Sequence, residues 1–382
     1  MKERFEVLDI FRGLFALMVV FFHLTTFTAT NVINNAIFNN SDVFVDFFFV
    51  LSGFVIAHNY SSIASIGDFK KFYKKRFLRI YPLHLVMLVA FFFIETAKEF
   101  ASHYIHINQL NNEDNNLFSF LSAAFLLNSV KLPSIVDVSW NMPSWSISAE
   151  MISYFLFGAT MLVFHNLKIS KHKTMLYVSV VLIGWLALYF INGNFKLTYS
   201  YDYGFLRGII GFFTGALCYS IYHSKKSVWA NFDSIWFTVG EVLSILLIFS
   251  FVGIGDMLRE SQYIYEVLFF GAVLIFSFER GYISSCFKKY FFLHRVGQYS
   301  YSIYMTHAFI LSLFNVLFVR ILKFSPADYS YLFIFNFLLI YFVSKWTYKN
   351  IEMKFYRVNA KKDPENNQYA VATPLPPQEI PA

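Results

Sequence analysis

The apolar segment at residues 8–28, LDIFRGLFALMVVFFHLTTFT, is long enough to cross a bilayer as one helix, yet it carries ionisable residues that a spanning helix normally avoids. At about 100° and 1.5 Å per residue, Arg12 and His23 differ by a net turn of about 20° and a rise of about 16 Å. They therefore lie on one face of the helix, half a membrane apart. Such residues usually face a wet cavity or a partner, so both are predicted to mark a site. The alternatives are that Arg12 snorkels to the headgroups and that His23 makes a polar contact between helices.

The composition predicts a membrane protein along the whole chain. Hydrophobic residues make up 57% of the sequence and charged residues 14%, whereas soluble domains carry about 25% charged residues. We therefore expect an all-α integral membrane protein, a bundle of about ten transmembrane helices plus one short re-entrant or interfacial helix. The apolar stretches lie at residues 8–28, 43–59, 78–97, 117–130 (the short one), 146–165, 174–192, 203–222, 235–253, 263–279, 300–319 and 330–348.

The distribution of Lys and Arg predicts the orientation of this bundle. With ten spans, 22 of the 31 Lys and Arg residues fall on the side that holds both termini, and six fall on the opposite loops. This positive-inside signal places both termini in the cytoplasm. It also accounts for the net charge of +7 without nucleic acid as a partner. Residues 1–350 are predicted to form one transmembrane domain, and residues 351–382, polar and Pro-rich, a largely disordered cytoplasmic tail.

Charged residues in or next to the spans suggest binding sites. Asp46 is buried by its position and needs a cation or a donor, and Arg207 is a candidate partner for either Asp46 or Glu150. Arg76 and Arg79, one turn apart at the start of the third span, are placed to face a cytoplasmic anion such as the phosphates of a nucleotide-like cofactor. The alternative is that this basic cluster only anchors the bundle to the headgroups.

Glu150 lies five residues inside the fifth span, with no neighbouring cation in the sequence. In the predicted topology it lies with His23 in the outer half of the membrane, and a carboxylate beside an imidazole makes a general base. Trp145, taken alone, is more typical of an interfacial anchor. Tyr301 and His307 enter their span from the cytoplasmic side. The two cysteines form no disulfide framework or metal site, and no metal is predicted.

Five stretches, in order, resemble the acyltransferase 3 family, the membrane O-acyltransferases that modify bacterial surface glycans. They are LDIFRG with the Arg12-to-His23 spacing, VDFFFVLSGFVI, KKRFLRIYP, NMPSWSISAEMISY and GQYSYSIYMTHAF. The resemblance implies that an acyl group, commonly acetyl, passes from cytoplasmic acyl-CoA (acetyl-CoA in the common case) to a hydroxyl of an extracytoplasmic glycan. It further implies a bacterial cytoplasmic membrane as the location.

The resemblance also implies roles for individual residues. His23 is then catalytic, either as the base that deprotonates the acceptor or as the carrier of the acyl group, and Glu150 orients or tunes its ring. Arg12, Arg76 and Arg79 hold the phosphates of acyl-CoA. Residues expected to contact substrate or support the site are Asp46, Trp145, Ser148, Arg207, Tyr301 and His307.

A second interpretation from the residues alone is a multi-span transporter, in which the buried Asp, Glu, His and Arg side chains form an ion or anion pathway. The internal repeat and paired broken helices typical of such proteins are not evident in the sequence. The acceptor glycan, the acyl chain and the oligomeric state are not specified by the sequence.

Overall fold

The computed structural model describes residues 4–104 and 113–354, and within these residues it contains helices and no strand. The predicted all-α fold is therefore confirmed. The predicted disordered tail lies almost wholly outside the described residues.

Fourteen α-helices follow one another in the described part of the chain. Their bounds are α1 (Glu6–Thr25), α2 (Ala36–Asn39), α3 (Phe44–Asn59), α4 (Ile66–Ser102), α5 (Leu117–Ala124), α6 (Trp145–Asn166), α7 (Lys173–Asn192), α8 (Gly204–Trp229), α9 (Ser234–Gly253), α10 (Tyr263–Phe276), α11 (Tyr282–Phe287), α12 (Phe291–Phe314), α13 (Pro326–Ser330) and α14 (Phe333–Thr347). Short 3-10 turns lie at Ser41–Val43, Met142–Ser144, Ser170–His172 and Gly255–Leu258, and π-helical turns at Asn315–Ile321 and Tyr348–Glu352.

Eight of the described helices are long and apolar enough to cross a membrane, and the protein is a multi-pass helical bundle. Helix α10, with 14 residues, and α14, with 15, are short for a span of about 20 residues. Helix α5 has eight residues and is too short to span. Each predicted apolar stretch contains a helix, but the predicted number of about ten spans stays a prediction.

Helices α3 and α8 pack with their backbones in contact. A Cβ atom on Gly53 would lie 1.7 Å from the carbonyl oxygen of Phe212, and one on Gly215 would lie 1.8 Å from the carbonyl oxygen of Val50. Only glycine fits at both positions. Small residues allow this close approach in membranes, where packing and interhelical hydrogen bonds, rather than the expulsion of water, hold helices together. The Ser52-Gly53 pair predicts such packing from the sequence.

Helices α1 and α12 are also closely packed, and they run parallel. Gly13 faces Gly297, where a Cβ atom on Gly13 would lie 2.5 Å from the backbone nitrogen of Gly297. Ten residues further along each helix, the ring centroids of His23 and His307 are 5.1 Å apart. Because equal steps along both helices keep the side chains paired, the two helices begin on the same side of the bundle.

Helix α4 is much longer than a bilayer is thick. Its 37 residues rise about 55 Å, whereas the hydrocarbon core measures about 30 Å. Ser65 caps its start by accepting a hydrogen bond from the backbone N–H of Asp68 at 3.1 Å. Arg76 and Arg79 lie in its first half and Glu95 and Glu99 near its end, so α4 carries charged residues toward both sides of the bundle.

Candidate active site

A cavity lies between α1, α3, α4, α6 and α12, and the space within it that the centre of a water molecule can occupy is about 130 Å³. Nine of the residues on its wall are apolar, and the polar residues of the wall come from all five helices. The polar residues of the wall are Asp9, Arg12, Ser52, Arg76, Arg79, Ser146, Glu150, Tyr154, Ser300, Tyr301 and Tyr304.

Arg12, Arg76 and Arg79, the three arginines that the sequence singles out, all lie on the wall of this cavity. Arg12 donates to the hydroxyl of Ser300 at 2.8 Å and forms an ion pair with Asp9 at 3.2 Å. Arg76 is only 3% exposed, and its guanidinium lies 5.6 Å from the centre of the Tyr60 ring. Arg79 is half-buried on the same wall. On the cavity wall, the three guanidinium groups outnumber the two carboxylates of Asp9 and Glu150, a balance that suits an anionic ligand.

Glu150 lies on the same cavity wall and is held by two hydroxyl groups. Its Oε1 accepts from Ser52 Oγ at 2.6 Å and from Tyr154 OH at 2.5 Å, and the two hydroxyl oxygens are 2.9 Å apart. Tyr154 is 4% exposed. The carboxylate therefore has a fixed position inside the cavity, on the helix face that Tyr154 shares four residues later.

His23 lies beyond the cavity, beside a second histidine. Its ring contacts the ring of His307, which is fully buried, and His307 Nδ1 lies 3.2 Å from the carbonyl oxygen of Ile303. Within the described residues, the Nε2 of His307 has no hydrogen-bond partner. The cavity wall reaches Ala16 on α1, and the helix rise places His23 about 10 Å further on. Glu150, the carboxylate expected beside His23, is held elsewhere: within the described residues, no hydrogen bond joins it to His23.

Tyr304 connects the cavity to the histidine pair. Its ring lies on the cavity wall and its centroid is 5.8 Å from that of His307. Its hydroxyl is 2.8 Å from Ser146 Oγ and donates to the carbonyl oxygen of Pro143 at 3.2 Å. The cavity, Tyr304, His307 and His23 therefore follow one another along the path from α4 toward the far end of α1.

Asp46 and Arg207 form a buried ion pair behind this wall. Arg207 Nε and Nη2 donate to the two carboxylate oxygens of Asp46 at 2.6 and 2.8 Å, and the residues are 1% and 4% exposed. The guanidinium lies 5.2 Å from the ring centre of Trp145. Of the two candidate partners that the sequence offers for Arg207, the structure selects Asp46. None of these three residues is on the cavity wall, so they support the helices that carry it.

Two further predicted residues bind backbone. Ser148 is fully buried, donates to the carbonyl oxygen of Leu126 at 2.6 Å and lies 2.7 Å from Ser129 Oγ. It holds the segment before α6 and is off the cavity wall. Tyr301 donates to the carbonyl oxygen of Ile80 at 2.6 Å and lies on the wall.

Sequence reasoning missed the two hydroxyl groups on Glu150. Tyr154 could have been found, because it follows Glu150 by one helical turn and so shares its face. Ser52 could not, because it is 98 residues away on another helix and only tertiary packing brings it to Glu150.

A segment of 88 residues is 40% identical to protein 2 in the picA locus of Rhizobium radiobacter, and the match covers 22% of this chain and 43% of that protein. The chain thus matches less than half the length of that relative. No solved structure matches the chain. The model of the acyltransferase 3 family, described as an acyltransferase domain, matches residues 5–347, nearly the whole chain. The chain therefore belongs to the acyltransferase 3 family.

Proposed function

We propose that this protein is a membrane acyltransferase for groups other than aminoacyl groups. In this proposal it moves an acyl group, acetyl in the simplest case, from cytoplasmic acyl-CoA to a hydroxyl of an extracytoplasmic glycan. One observation carries the proposal: Arg12, Arg76 and Arg79 come from two helices and meet on the wall of the same cavity as Glu150. A cavity with a basic end and a hydrogen-bonded carboxylate fits a thioester whose phosphates stay at one end while its acyl arm reaches inward.

The proposed orientation follows from the charge distribution. Arg76 and Arg79 lie near the start of α4, in the loop and helix end that carry the most Lys and Arg, so the donor end faces the cytoplasm. The parallel course of α1 and α12 supports a bundle in which both helices enter from that side. We accordingly place both termini in the cytoplasm and the protein in the bacterial cytoplasmic membrane.

His23 carries out the proton transfer in this proposal. In direct transfer, His23 takes the proton of the acceptor hydroxyl, the hydroxyl oxygen forms the new ester bond with the acyl carbon, the carbon–sulfur bond breaks, and CoA leaves as a thiol after taking up a proton. In the two-step route, a ring nitrogen of His23 first displaces CoA and then passes the acyl group to the acceptor. Either route needs the acyl arm to pass Tyr304, since the wall ends about 10 Å short of His23.

Glu150 acts on the donor rather than on the imidazole. Because its carboxylate is fixed by Ser52 and Tyr154 on the cavity wall, it is placed to contact the thioester arm. His307, whose Nε2 is buried beside His23, takes the place that the sequence assigns to Glu150 as the neighbour that orients the ring. No particular observation favours a transporter.

Acyl-CoA turnover by His23→Ala tests this function. In nanodiscs with radiolabelled acetyl-CoA and a mixture of glycans, we expect at least a thousandfold loss of transfer, because a catalytic base or nucleophile is removed. His165→Ala, which changes an exposed histidine at the end of α6, is the matched control and should retain full activity. Retained transfer by correctly inserted His23→Ala would refute the catalytic role, and failure of the wild type to bind or consume acyl-CoA would refute the donor.

The arginines are tested separately by acyl-CoA binding. Arg79→Ala should raise the dissociation constant of acyl-CoA about tenfold, since a phosphate contact of this kind is worth about 1.4 kcal/mol. Arg259→Ala removes an arginine that is 68% exposed and should leave that constant unchanged. Mass spectrometry of acid-quenched protein then separates the two routes, because only the two-step route leaves an acyl group on the peptide that contains His23.

A further inference from the structure

A second hollow, the outer groove, opens at the other end of α4, the end that the proposed orientation places on the outer side of the membrane. The space within it that the centre of a water molecule can occupy is about 650 Å³, and it lies between the end of α4, residues 113–120 and Trp140 in the loop before α6. Its wall includes Glu95, Glu99, Glu113, Asn115 and Trp140. The groove and the arginine-lined cavity have no wall residue in common.

Trp140 forms a rigid floor for this groove. Its backbone N–H donates to Asn115 Oδ1 at 2.5 Å and its indole Nε1–H donates to Ser119 Oγ at 3.0 Å. The ring stacks on Phe92 with centroids 6.3 Å apart and meets Phe120 edge-on at 5.2 Å. Three aromatic rings are thereby fixed around one hollow. Trp140 is itself 7% exposed, so Phe92, which is 47% exposed, presents the flat apolar face, and such faces suit the C–H faces of a sugar ring.

The backbone of Trp140 is strained. Its φ of 54° lies in the left-handed region, which a bulky side chain rarely adopts. Such a conformation persists only where the surrounding contacts hold it, and it is commonest at binding and catalytic sites. The two hydrogen bonds from the Trp140 nitrogens supply that hold.

The loop that carries Trp140 is joined to α12 near His307. Trp140 belongs to the same apolar cluster as Ala308, the residue after His307. Its neighbour Asn141 is fully buried and donates from Nδ2 to the carbonyl oxygen of Met305 at 3.2 Å. The loop that carries the floor is thus fixed to the part of α12 that holds His307 against His23.

The polar part of the wall is acidic. Glu99 and Glu113 are exposed, while Glu95 forms an ion pair at 2.5 Å with Lys98, a residue that is itself 7% exposed. Lys98 therefore balances the charge of Glu95 but not the charges of Glu99 and Glu113. Carboxylates and the amide oxygen of Asn115 accept hydrogen bonds from sugar hydroxyls. The negative charge of the carboxylates, however, repels an anion in the groove.

We propose that this groove docks the acceptor glycan beside the unit that is acylated, and that it accepts units without acidic groups. The inference rests on the proposed function and adds the class of acceptor. Glycans that present uronate, sialate or phosphate at the docking position are repelled by Glu99 and Glu113, whereas neutral sugars stack on the aromatic floor and donate to the carboxylates.

The test compares acceptors that differ in charge alone. The protein in nanodiscs receives acetyl-CoA and either a neutral glucan oligosaccharide or a polygalacturonate oligosaccharide of the same length, at low ionic strength, where surface charges are least screened. We expect kcat/KM for the neutral acceptor to exceed that for the uronate by at least tenfold. In the double variant E99K/E113K, the ratio should shift at least tenfold toward the uronate.

The control variant is Glu260→Lys, which reverses a carboxylate that is 66% exposed and lies outside the groove. It should leave the acceptor ratio unchanged. A wild type that prefers the uronate, or an unchanged ratio in a correctly folded E99K/E113K variant, overturns the proposal.

Saturation-transfer NMR with the same two oligosaccharides separates this inference from the proposed function. If the protein consumes no acyl-CoA, the function fails. The groove is then judged by binding alone, with the neutral oligosaccharide expected to bind the wild type and the uronate to gain binding in the double variant. Absence of both effects refutes the groove whatever the activity.

Discussion

Removing the guanidinium of the buried Arg207–Asp46 pair should destabilise the protein more than removing its carboxylate. Arg207 is the cation of this pair. It interacts electrostatically with the carboxyl groups of Asp42 and Glu266 as well as with that of Asp46. Glu266 is 4% exposed, and within the described residues its carboxyl oxygens have no hydrogen-bond partner. Arg207→Met therefore leaves three acidic groups without their cation, whereas Asp46→Asn leaves Arg207 with two acidic neighbours.

The magnitudes follow from the burial of this pair. Truncating one partner of a buried ion pair costs about 3–5 kcal/mol, because the other charge stays desolvated. We expect a loss near the upper end, about 5 kcal/mol, for Arg207→Met and near the lower end, about 3 kcal/mol, for Asp46→Asn. The double variant should cost less than the sum of the two by about 2 kcal/mol, since the residues share two hydrogen bonds. Arg259→Met breaks an exposed Arg–Asp pair and should cost about 0.5 kcal/mol or less.

The assay is unfolding by SDS titrated into a mild detergent, followed by tryptophan fluorescence, with the free energy of unfolding extrapolated to zero SDS. All four variants are measured with the wild type in the same detergent. The reasoning is refuted if Arg207→Met costs no more than Asp46→Asn, or if the coupling energy of the double variant falls below about 0.5 kcal/mol.

Three other substitutions test separate features. Tyr154→Phe removes one of the two hydroxyl donors to Glu150 and should lower kcat about tenfold in the acetyl-CoA transfer assay while the melting temperature stays nearly constant. Gly297→Ala places a Cβ atom against the backbone of α1 and should cost about 1–3 kcal/mol in the SDS titration, whereas Gly271→Ala meets no atom within 4 Å and should cost almost nothing. Glu241→Gln weakens the anchor that accepts three backbone N–H groups at the start of α11, and it should cost about 2 kcal/mol in the same titration. The structural reason is contradicted if Tyr154→Phe has the kcat of the wild type, if Gly297→Ala costs no more free energy of unfolding than Gly271→Ala, or if Glu241→Gln is as stable as the wild type.

The arginines of the candidate site could be predicted from the sequence, because they are charged and the membrane limits where charge can lie. Arg12 violates the apolar pattern of its helix, and Arg76 and Arg79 stand at the boundary of theirs. Topology then brings all three to one side of the bundle, and the structure shows them on one cavity wall. No knowledge of individual contacts was needed for that step.

The partners of the central residues could not be predicted, because they depend on which helices become neighbours. The sequence suggests Glu150 as the neighbour of His23, since both lie at a similar predicted depth. Depth does not specify rotation about the bundle axis, and the structure turns Glu150 toward Ser52 and His23 toward His307. The choice of Asp46 over Glu150 as the partner of Arg207 depends on the glycine contacts between α3 and α8, which set the register of those two helices.

The separation of the arginine-lined cavity from the outer groove has a consequence for the cell's energy supply. Their walls share no residue, and Tyr304, on the cavity wall, is backed by the buried His307. A membrane enzyme that takes its donor from one compartment and its acceptor from the other can let protons leak across the membrane at each turnover. Under the proposed function, two separate binding sites let the donor and the acceptor wait on opposite sides while the membrane holds its voltage.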